Sequence, residues 1–156
     1  MKIYLAGPCD TENRYNMVQI AKVFREYGQY EVYCPWELKI ENAWDYTQED
    51  WAKQVFEADI QAIQECDIFI MISQGRISSA GTNWEQGYAY ALHKWIIVIQ
   101  INNNPTSLMT YCSASNFFNT KPENFNNMLR LLIDSINKNG RLIHGNNDFE
   151  CETILT

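Results

Sequence analysis

Four short apolar runs along the chain predict buried β-strands. They cover residues 2–6, 30–34, 68–72 and 95–101. The first run stops at Gly7 and Pro8 and the second at Pro35, which are residue types that end strands in turns. The third and fourth runs are nearly continuous in apolar residues, as expected for strands that are covered on both faces.

Three stretches between and after these runs repeat their apolar residues at helical spacing. The predicted helices cover residues 12–27, 48–64 and 82–93. Each has an apolar stripe along one side, which is typical of a helix packed on a sheet. We expect Gly28 to end the first helix in a left-handed conformation. Residues 35–47 predict an irregular loop that is rich in aromatic side chains.

Strands that alternate with amphipathic helices predict βαβ units and a parallel sheet. Right-handed crossovers then give a single three-layer, doubly wound α/β domain of the flavodoxin or Rossmann type. Ligands of such domains bind beyond the carboxyl ends of the strands. The loops expected to carry chemistry are therefore 7–14, 35–47, 73–82 and 101–112.

The domain is predicted to cover residues 1–139, and residues 140–156 form a polar tail. Three interpretations of the tail are open: a late strand of the same domain, an arm that reaches another subunit, or a partly disordered segment. The pattern of residues does not choose between them.

The composition limits the class of protein. The 156 residues are 46% hydrophobic and 20% charged, with a formal net charge of −7. This acidity argues against a nucleic-acid polymer as partner, because such binding needs a basic surface. A small anionic ligand remains compatible, since backbone N–H groups can hold a phosphate locally.

The cysteines and histidines predict no metal and no cofactor. Five cysteines without CxxC spacing are typical of free thiols in a reducing compartment. His93 and His144 lie far apart and near no cysteine pair. The beginning, MKIYLAGP, predicts no signal peptide, and no apolar run is long enough to span a membrane. We therefore expect a cytoplasmic protein without membrane association.

Two carboxylates and one tyrosine are candidates for chemistry. We expect Glu85 in the first turn of the third helix, where the helix dipole favours the ionised, nucleophilic form; the alternative is a glutamate that only stabilises the helix. Asp59 is expected in a largely buried helix segment, where a carboxyl group holds its proton more tightly; the alternative is a solvated aspartate. Tyr4 lies on the first strand, as a core residue or as a partner of a carboxylate. Gly7 allows the backbone to approach a ligand closely.

Four sequence blocks, in their order and spacing, resemble the nucleoside 2-deoxyribosyltransferase family. They are KIYLAGP, EADIQAIQECDIFIMI, GTNWEQGYAYALHK and SLMTYCSASNFF, and the resemblance spans roughly residues 2–118. It implies that Glu85 captures C1′ of the sugar, that Asp59 assists departure of the base, and that Tyr4 holds Glu85. It also implies that the segment around Met109 reaches a neighbouring subunit's site in a homo-oligomer, at least a dimer. A carboxylate beneath the sugar stabilises and then captures oxocarbenium charge, as in retaining glycosidases.

Two serines depart from the transferase pattern and resemble a hydrolase branch of the superfamily, which acts on nucleoside 5′-monophosphates. Ser79 stands where transferases usually carry an aspartate for the sugar 5′-hydroxyl, and Ser107 stands where they usually carry asparagine. A serine hydroxyl can donate to a 5′-phosphate that an aspartate would repel. Arg14 and the backbone N–H groups near Gly81 are further candidates for phosphate binding, although Arg14 is equally well read as a surface residue.

The aromatic loop is a candidate for the wall over the base, with Trp36, Trp44 or Tyr46 stacking on it. The predicted function is cleavage of the N-glycosidic bond of a (2′-deoxy)nucleoside 5′-monophosphate through a glycosyl intermediate on Glu85. Base exchange between unphosphorylated 2′-deoxynucleosides is the alternative, and a non-catalytic nucleotide sensor is a second. A dinucleotide-binding module is disfavoured because GPCDTENR follows the first strand in place of GxGxxG.

Overall fold

The fold is a three-layer α/β domain built on a six-stranded parallel sheet. A computed structural model describes residues 1–8, 10–139, 145–148 and 154–156. The strands are β1 (Lys2–Ala6), β2 (Glu31–Tyr33), β3 (Ile68–Ser73), β4 (Trp95–Gln100), β5 (Asn116–Asn119) and β6 (Gly145–Asp148). Their spatial order is β2-β1-β3-β4-β5-β6. The predicted fold class is therefore confirmed.

Within the described residues, five α-helices cover the two faces of the sheet. They are α1 (Thr11–Glu26), α2 (Gln48–Glu65), α3 (Ala80–Ala91), α4 (Leu108–Ser113) and α5 (Phe125–Asn139). The apolar residues of α1 and α5 form one core with one face of the strands. Side chains of α2, α3 and α4 pack against the opposite face. Because consecutive side chains of a strand point to opposite faces, each central strand contributes to both cores.

The predicted strands and helices are present, with ends displaced by a few residues. Side-chain caps define three helix starts, since Asp10, Thr47 and Ser79 each accept a hydrogen bond from a backbone N–H three residues later. One turn differs from expectation. Gln29, rather than Gly28, has a positive φ, of 57°. Gly28 is required for space, because a Cβ there would meet the Tyr30 ring.

The elements after β4 were not predicted from the hydrophobic pattern. Strand β5 has four residues, NFFN, and is too short and too polar at its ends to stand out. Of the tail, residues 145–148 form β6 beside β5. Residues 154–156 form backbone hydrogen bonds with the segment at Thr106. His144 and Cys151 lie outside the described residues, as does Cys9.

The order of the strands places a crevice at the carboxyl ends of β1 and β3. The chain winds outward in one direction from β1 to β2 and in the other from β3 to β6, so that the two connections leave toward opposite faces. In the described part of the chain, Cys34, Cys66 and Cys112 are free thiols. No helix among the described residues is long and apolar enough to cross a membrane.

Candidate active site

Both predicted carboxylates line one cavity above the sheet. Helices α2 and α3 border this cavity of about 340 Å³, which we call the carboxylate cavity. Its lining residues are Phe56, Asp59, Ile60, Ile63, Gly81, Trp84 and Glu85. Two acidic side chains that are 26 positions apart in sequence therefore line the same cavity. A larger cavity of about 570 Å³ lies on the other face, between α1 and α5, and contains neither carboxylate.

Glu85 lies in a different environment from the one predicted. Helix α3 begins at Ala80, so Glu85 is in its second turn, where the helix dipole acts weakly. Burial and the negative charge of Asp59 raise the pKa of Glu85 to about 7. The expectation that the dipole keeps this carboxylate ionised is thus wrong for the free protein. Desolvation and a like charge outweigh the dipole.

Asp59 is half-buried and is held by a tyrosine. The Tyr33 hydroxyl donates a hydrogen bond of 2.7 Å to Asp59 Oδ1. Burial raises the pKa of Asp59, and the hydrogen bond from Tyr33 opposes this by stabilising the ionised form. The surrounding helix is more exposed than predicted, since Phe56 is 54% exposed. The direction of the pKa change is the one expected for a general acid.

Tyr4 lies under Glu85 in the sheet core. Its side chain is fully buried, and its ring stacks between those of Tyr33 and Phe69. Within the described residues its hydroxyl completes no hydrogen bond of good geometry. It nevertheless lies close enough to Glu85 to lower the pKa of that carboxyl group. Tyr4 is therefore a buried hydroxyl donor that lies close to Glu85, the predicted nucleophile.

This geometry can perform acid and nucleophilic chemistry together. Two carboxyl groups with raised pKa values in one cavity retain a proton between them near neutral pH. A group that keeps this proton can protonate a leaving group, and an ionised partner can attack. Among the described residues, no group of three or more His, Cys, Asp or Glu side chains is arranged so that it could hold a metal ion.

A chain of hydrogen bonds connects the start of α3 to the end of β1. The Thr82 hydroxyl donates to the Gly7 carbonyl at 3.0 Å. The Ser79 hydroxyl lies 2.8 Å from the Thr82 hydroxyl, and because Thr82 already donates to Gly7, Ser79 is the donor in this contact. Gly7 itself is buried, and an added Cβ would clash with Met17. The space around Gly7 is therefore limited by a core side chain. Gly81, in contrast, is exposed and lies beside Ser79.

Arg14 and Trp36 lie together near the end of β1. The Arg14 guanidinium is 5.5 Å from the centre of the Trp36 ring. The Trp36 indole N–H donates to the Pro8 carbonyl at 2.9 Å, which ties the aromatic loop to the carboxyl edge of the sheet. Trp44, in contrast, is 97% exposed and does not line the carboxylate cavity. Trp44 was predicted to stack on the base. It lies away from the two carboxylates because its position in the loop has no packing partners among the described residues.

The segment that was predicted to reach a neighbouring subunit projects from the surface. Ser107 precedes α4 without capping it through its side chain. Met109 is 79% exposed, and α4 is attached to α3 by a hydrogen bond from Gln86 to the Thr110 carbonyl. Met109 therefore extends into solvent from a helix that is fixed to the one carrying Glu85.

Comparison with known proteins assigns the chain to a family. The model of the nucleoside 2-deoxyribosyltransferase family matches residues 3–135. The chain belongs to this family. The family is one of enzymes, the nucleoside 2-deoxyribosyltransferases. No curated protein matches it in sequence.

Solved structures agree with this family assignment. A 2-deoxyribosyltransferase from the psychrotolerant bacterium Bacillus psychrosaccharolyticus shares 25% identity over 83% of this chain and 90% of its own, with a TM-score of 0.71. The CMP N-glycosidase BcmB from Clostridium botulinum is 22% identical over 85% of this chain and 97% of its own, with a TM-score of 0.52. A conserved protein from Enterococcus faecalis V583 is 20% identical over 94% and 81%, with a TM-score of 0.55. The last two likenesses concern the fold alone.

Three residues of this family member's site were not found by sequence reasoning. Tyr33 contacts Asp59, while Phe56 and Trp84 line the carboxylate cavity. The rings of Phe56 and Trp84 are 5.7 Å apart, and Trp84 stacks on Tyr88 at 5.5 Å. Phe56 lies three residues before Asp59 and Trp84 directly before Glu85. Their positions in sequence, close to the candidate carboxylates, are the signal that could have identified Phe56 and Trp84.

Proposed function

We propose that this protein cleaves the N-glycosidic bond of a (2′-deoxy)nucleoside 5′-monophosphate and releases the free base. The observation that carries the proposal is the presence of Glu85 and Asp59 in one cavity, with raised pKa values for both carboxyl groups. Phe56 and Trp84 supply an aromatic wall in the same cavity, where a base can stack. This replaces Trp44 as the candidate for the wall.

The reaction follows the scheme of a retaining glycosidase. In the reacting state of this scheme, the proton that the pair shares is on Asp59 and Glu85 is ionised. Glu85 forms a bond to C1′ as the bond between C1′ and the base nitrogen breaks, and Asp59 gives its proton to the departing base. Water then attacks C1′, the Glu85 ester bond breaks, and Asp59 takes up the proton from the water. Glu85 is released as a carboxylate, and the products are the free base and the sugar 5-phosphate. Tyr4 donates to the Glu85 carboxylate and keeps it beneath the sugar.

The phosphate is assigned to the start of α3 and to Arg14. On ligand binding, the Ser79 hydroxyl rotates from Thr82 and donates to a phosphate oxygen, while the N–H groups near Gly81 and Thr82 face the same anion. Arg14 lies at the same edge of the sheet beside Trp36 and provides the positive charge. An aspartate in place of Ser79 would cap α3 equally well, but it would repel the phosphate.

A second subunit completes the site in this proposal. Leu108 and Met109 are more than half exposed on the surface of α4, and the homologous contact would place Ser107 and Met109 against the partner's substrate. Large apolar side chains in water are characteristic of an interface. We propose a homo-oligomer, at least a dimer, that acts in the cytoplasm.

Base exchange between 2′-deoxynucleosides is the second candidate. The 25% identity and TM-score of 0.71 with the Bacillus psychrosaccharolyticus 2-deoxyribosyltransferase favour it. Both reactions use the same glycosyl intermediate and differ in whether water or a second base attacks C1′. The position of Ser79 favours the phosphorylated substrate.

The decisive experiment is a panel of ribo- and deoxyribonucleosides and their 5′-monophosphates, each with and without an acceptor base. Chromatography of the released and exchanged bases separates hydrolysis, transfer and simple binding. We expect free base from a monophosphate without acceptor, and no turnover for Glu85→Gln, with exposed Glu57→Gln on α2 as the matched control. Turnover by Glu85→Gln would refute the nucleophile. Ser79→Asp should shift preference toward unphosphorylated nucleosides, and an unchanged ratio of kcat/KM values would exclude Ser79 from phosphate binding.

A further inference from the structure

A row of three aromatic rings crosses the sheet beneath the two carboxylates. Tyr33, Tyr4 and Phe69 lie side by side on β2, β1 and β3, because Tyr4 is in register with both neighbours. Each pair of adjacent ring centres is 5.4 Å apart, with interplanar angles of 16° and 6°. We call these residues the ring row. Parallel strands in fixed register hold the rings in place, so their hydroxyl positions are set by the sheet.

The ring row carries two hydroxyl groups, and each lies near a carboxyl group of the cavity. Tyr33 donates to Asp59 Oδ1 at 2.7 Å, whereas Tyr4 lies near Glu85. Asp59 has no other hydrogen-bond partner in the described part of the chain. It lies on a helix whose neighbouring residues are half-exposed. Without Tyr33, the side chain of Asp59 is free to turn toward solvent.

We propose that Tyr33 is a positioning residue, whose hydrogen bond to Asp59 Oδ1 holds that carboxyl group in the cavity and leaves Oδ2 to protonate the base. This inference rests on the proposed function, because it names the residue that orients the acid. The ring row couples this task to the nucleophile: the same stack that fixes Tyr33 also fixes Tyr4 under Glu85. A carboxyl oxygen that already accepts a hydrogen bond is the one less available for a proton, which assigns the proton to Oδ2.

Tyr33→Phe keeps the ring in the row and removes only the hydroxyl group. Loss of one hydrogen bond to a charged group should reduce kcat by about tenfold, with little change in KM, because the acid is misaligned while the substrate still binds. The groups facing Asp59 are Tyr33 from β2, Glu85 from α3 and Tyr4 from β1. Since the Tyr33 hydroxyl stabilises ionised Asp59, its removal raises the pKa of Asp59. The alkaline limb of the pH profile should therefore move to higher pH.

The matched control is Tyr30→Phe. Tyr30 is buried, whereas Tyr33 is partly buried; Tyr30 lies immediately before β2 and donates its hydroxyl to Asn137 on the other face of the sheet. The Tyr30→Phe substitution removes a tyrosine hydroxyl, as Tyr33→Phe does, but this hydroxyl contacts neither carboxylate. We expect the kcat and pH profile of Tyr30→Phe to match those of the unmodified protein. Equal losses in the two variants would overturn the proposal, since they would indicate a general effect on stability.

A double-mutant cycle with Asp59→Asn tests whether Tyr33 acts through Asp59. In the Asp59→Asn background, Tyr33→Phe should cause no further loss of activity. A further tenfold loss would show that Tyr33 acts elsewhere and would overturn the assignment.

A titration that needs no substrate separates this inference from the proposed function. NMR detection of the ¹³C-labelled side-chain carboxyl groups reports the pKa of Asp59 directly. We expect it to rise in Tyr33→Phe and to stay unchanged in Tyr30→Phe. An unchanged value in Tyr33→Phe overturns the inference whatever the substrate panel gives. If the unmodified protein releases no base from any substrate while the titration behaves as expected, the proposed function fails and the hydrogen-bond role of Tyr33 stands.

Discussion

Replacing Glu85 by glutamine should remove activity and also stabilise the protein at alkaline pH. Burial and Asp59 raise the pKa of Glu85 from 4.5 to about 7, so the folded state resists ionisation of this group. One pKa unit corresponds to ~1.36 kcal/mol, which gives an upper value of about 3 kcal/mol. The actual cost is smaller, because Glu85 is only partly buried and because part of the pKa change comes from the charge of Asp59. We therefore expect roughly 1–3 kcal/mol.

The sign follows from proton binding in the two states. Below pH 4.5 the carboxyl group of Glu85 is neutral in both the folded and the unfolded chain. Between pH 4.5 and about 7 the unfolded chain loses the proton first, so the free energy of unfolding falls as the pH rises. Above about 7 the full cost is present. Glu85→Gln avoids this cost, and its advantage should therefore be near zero at low pH and greatest above neutrality.

Urea unfolding followed by tryptophan fluorescence measures this difference. The unmodified protein, Glu85→Gln and the exposed control Glu57→Gln are compared at acidic, neutral and alkaline pH, at one protein concentration because association also changes apparent stability. Glu57→Gln should show no such pH-dependent gain. The free energies of unfolding of Glu85→Gln and of the unmodified protein should differ more at high pH than at low pH. A difference that is the same at every pH would refute the conclusion that the surroundings disfavour the ionised form of Glu85.

Three further predictions concern catalysis and packing. The kcat/KM of the free enzyme should fall as pH rises through about 7, because the pair of Glu85 and Asp59 then loses its last proton; a flat profile to pH 9 would contradict the shared-proton scheme. Trp84→Ala should raise KM by roughly tenfold through loss of stacking on the base. Trp44→Ala, at a 97% exposed position, should leave steady-state kinetics unchanged. Equal effects of the two substitutions would contradict the assignment of Trp84 to the aromatic wall. Gly28→Ala should lower the free energy of unfolding by about 1–3 kcal/mol, because its Cβ meets the Tyr30 ring, and an unchanged urea midpoint would contradict that clash.

The main architecture could be predicted from the sequence, because the burial of each strand and helix determines the spacing of its apolar residues. The nearly continuous runs at residues 68–72 and 95–101 belong to strands that are buried on both faces. Helix α2 was predicted to within one residue of its end. Strand β5 was missed, because four residues with asparagine at both ends carry too little periodicity. Gly28 was misjudged for a similar reason, since a glycine signals either a special φ or a lack of space, and only packing distinguishes the two.

The candidate site was partly accessible, because the family resemblance singled out Glu85, Asp59 and Tyr4 by their positions. It did not give the protonation of Glu85, which follows from desolvation by neighbours that are distant in sequence. It also did not give Tyr33, whose role depends on the register between β1 and β2.

By itself, the sequence determined the alternation of strands and helices and the edge of the sheet where the candidate site is expected, since both follow from local burial patterns and from chain chirality. Only the tertiary structure decided which side chains meet at that edge and which carboxyl group is reluctant to ionise. Those properties depend on through-space distances and on exclusion of water, and neither quantity is encoded in any short segment of the chain.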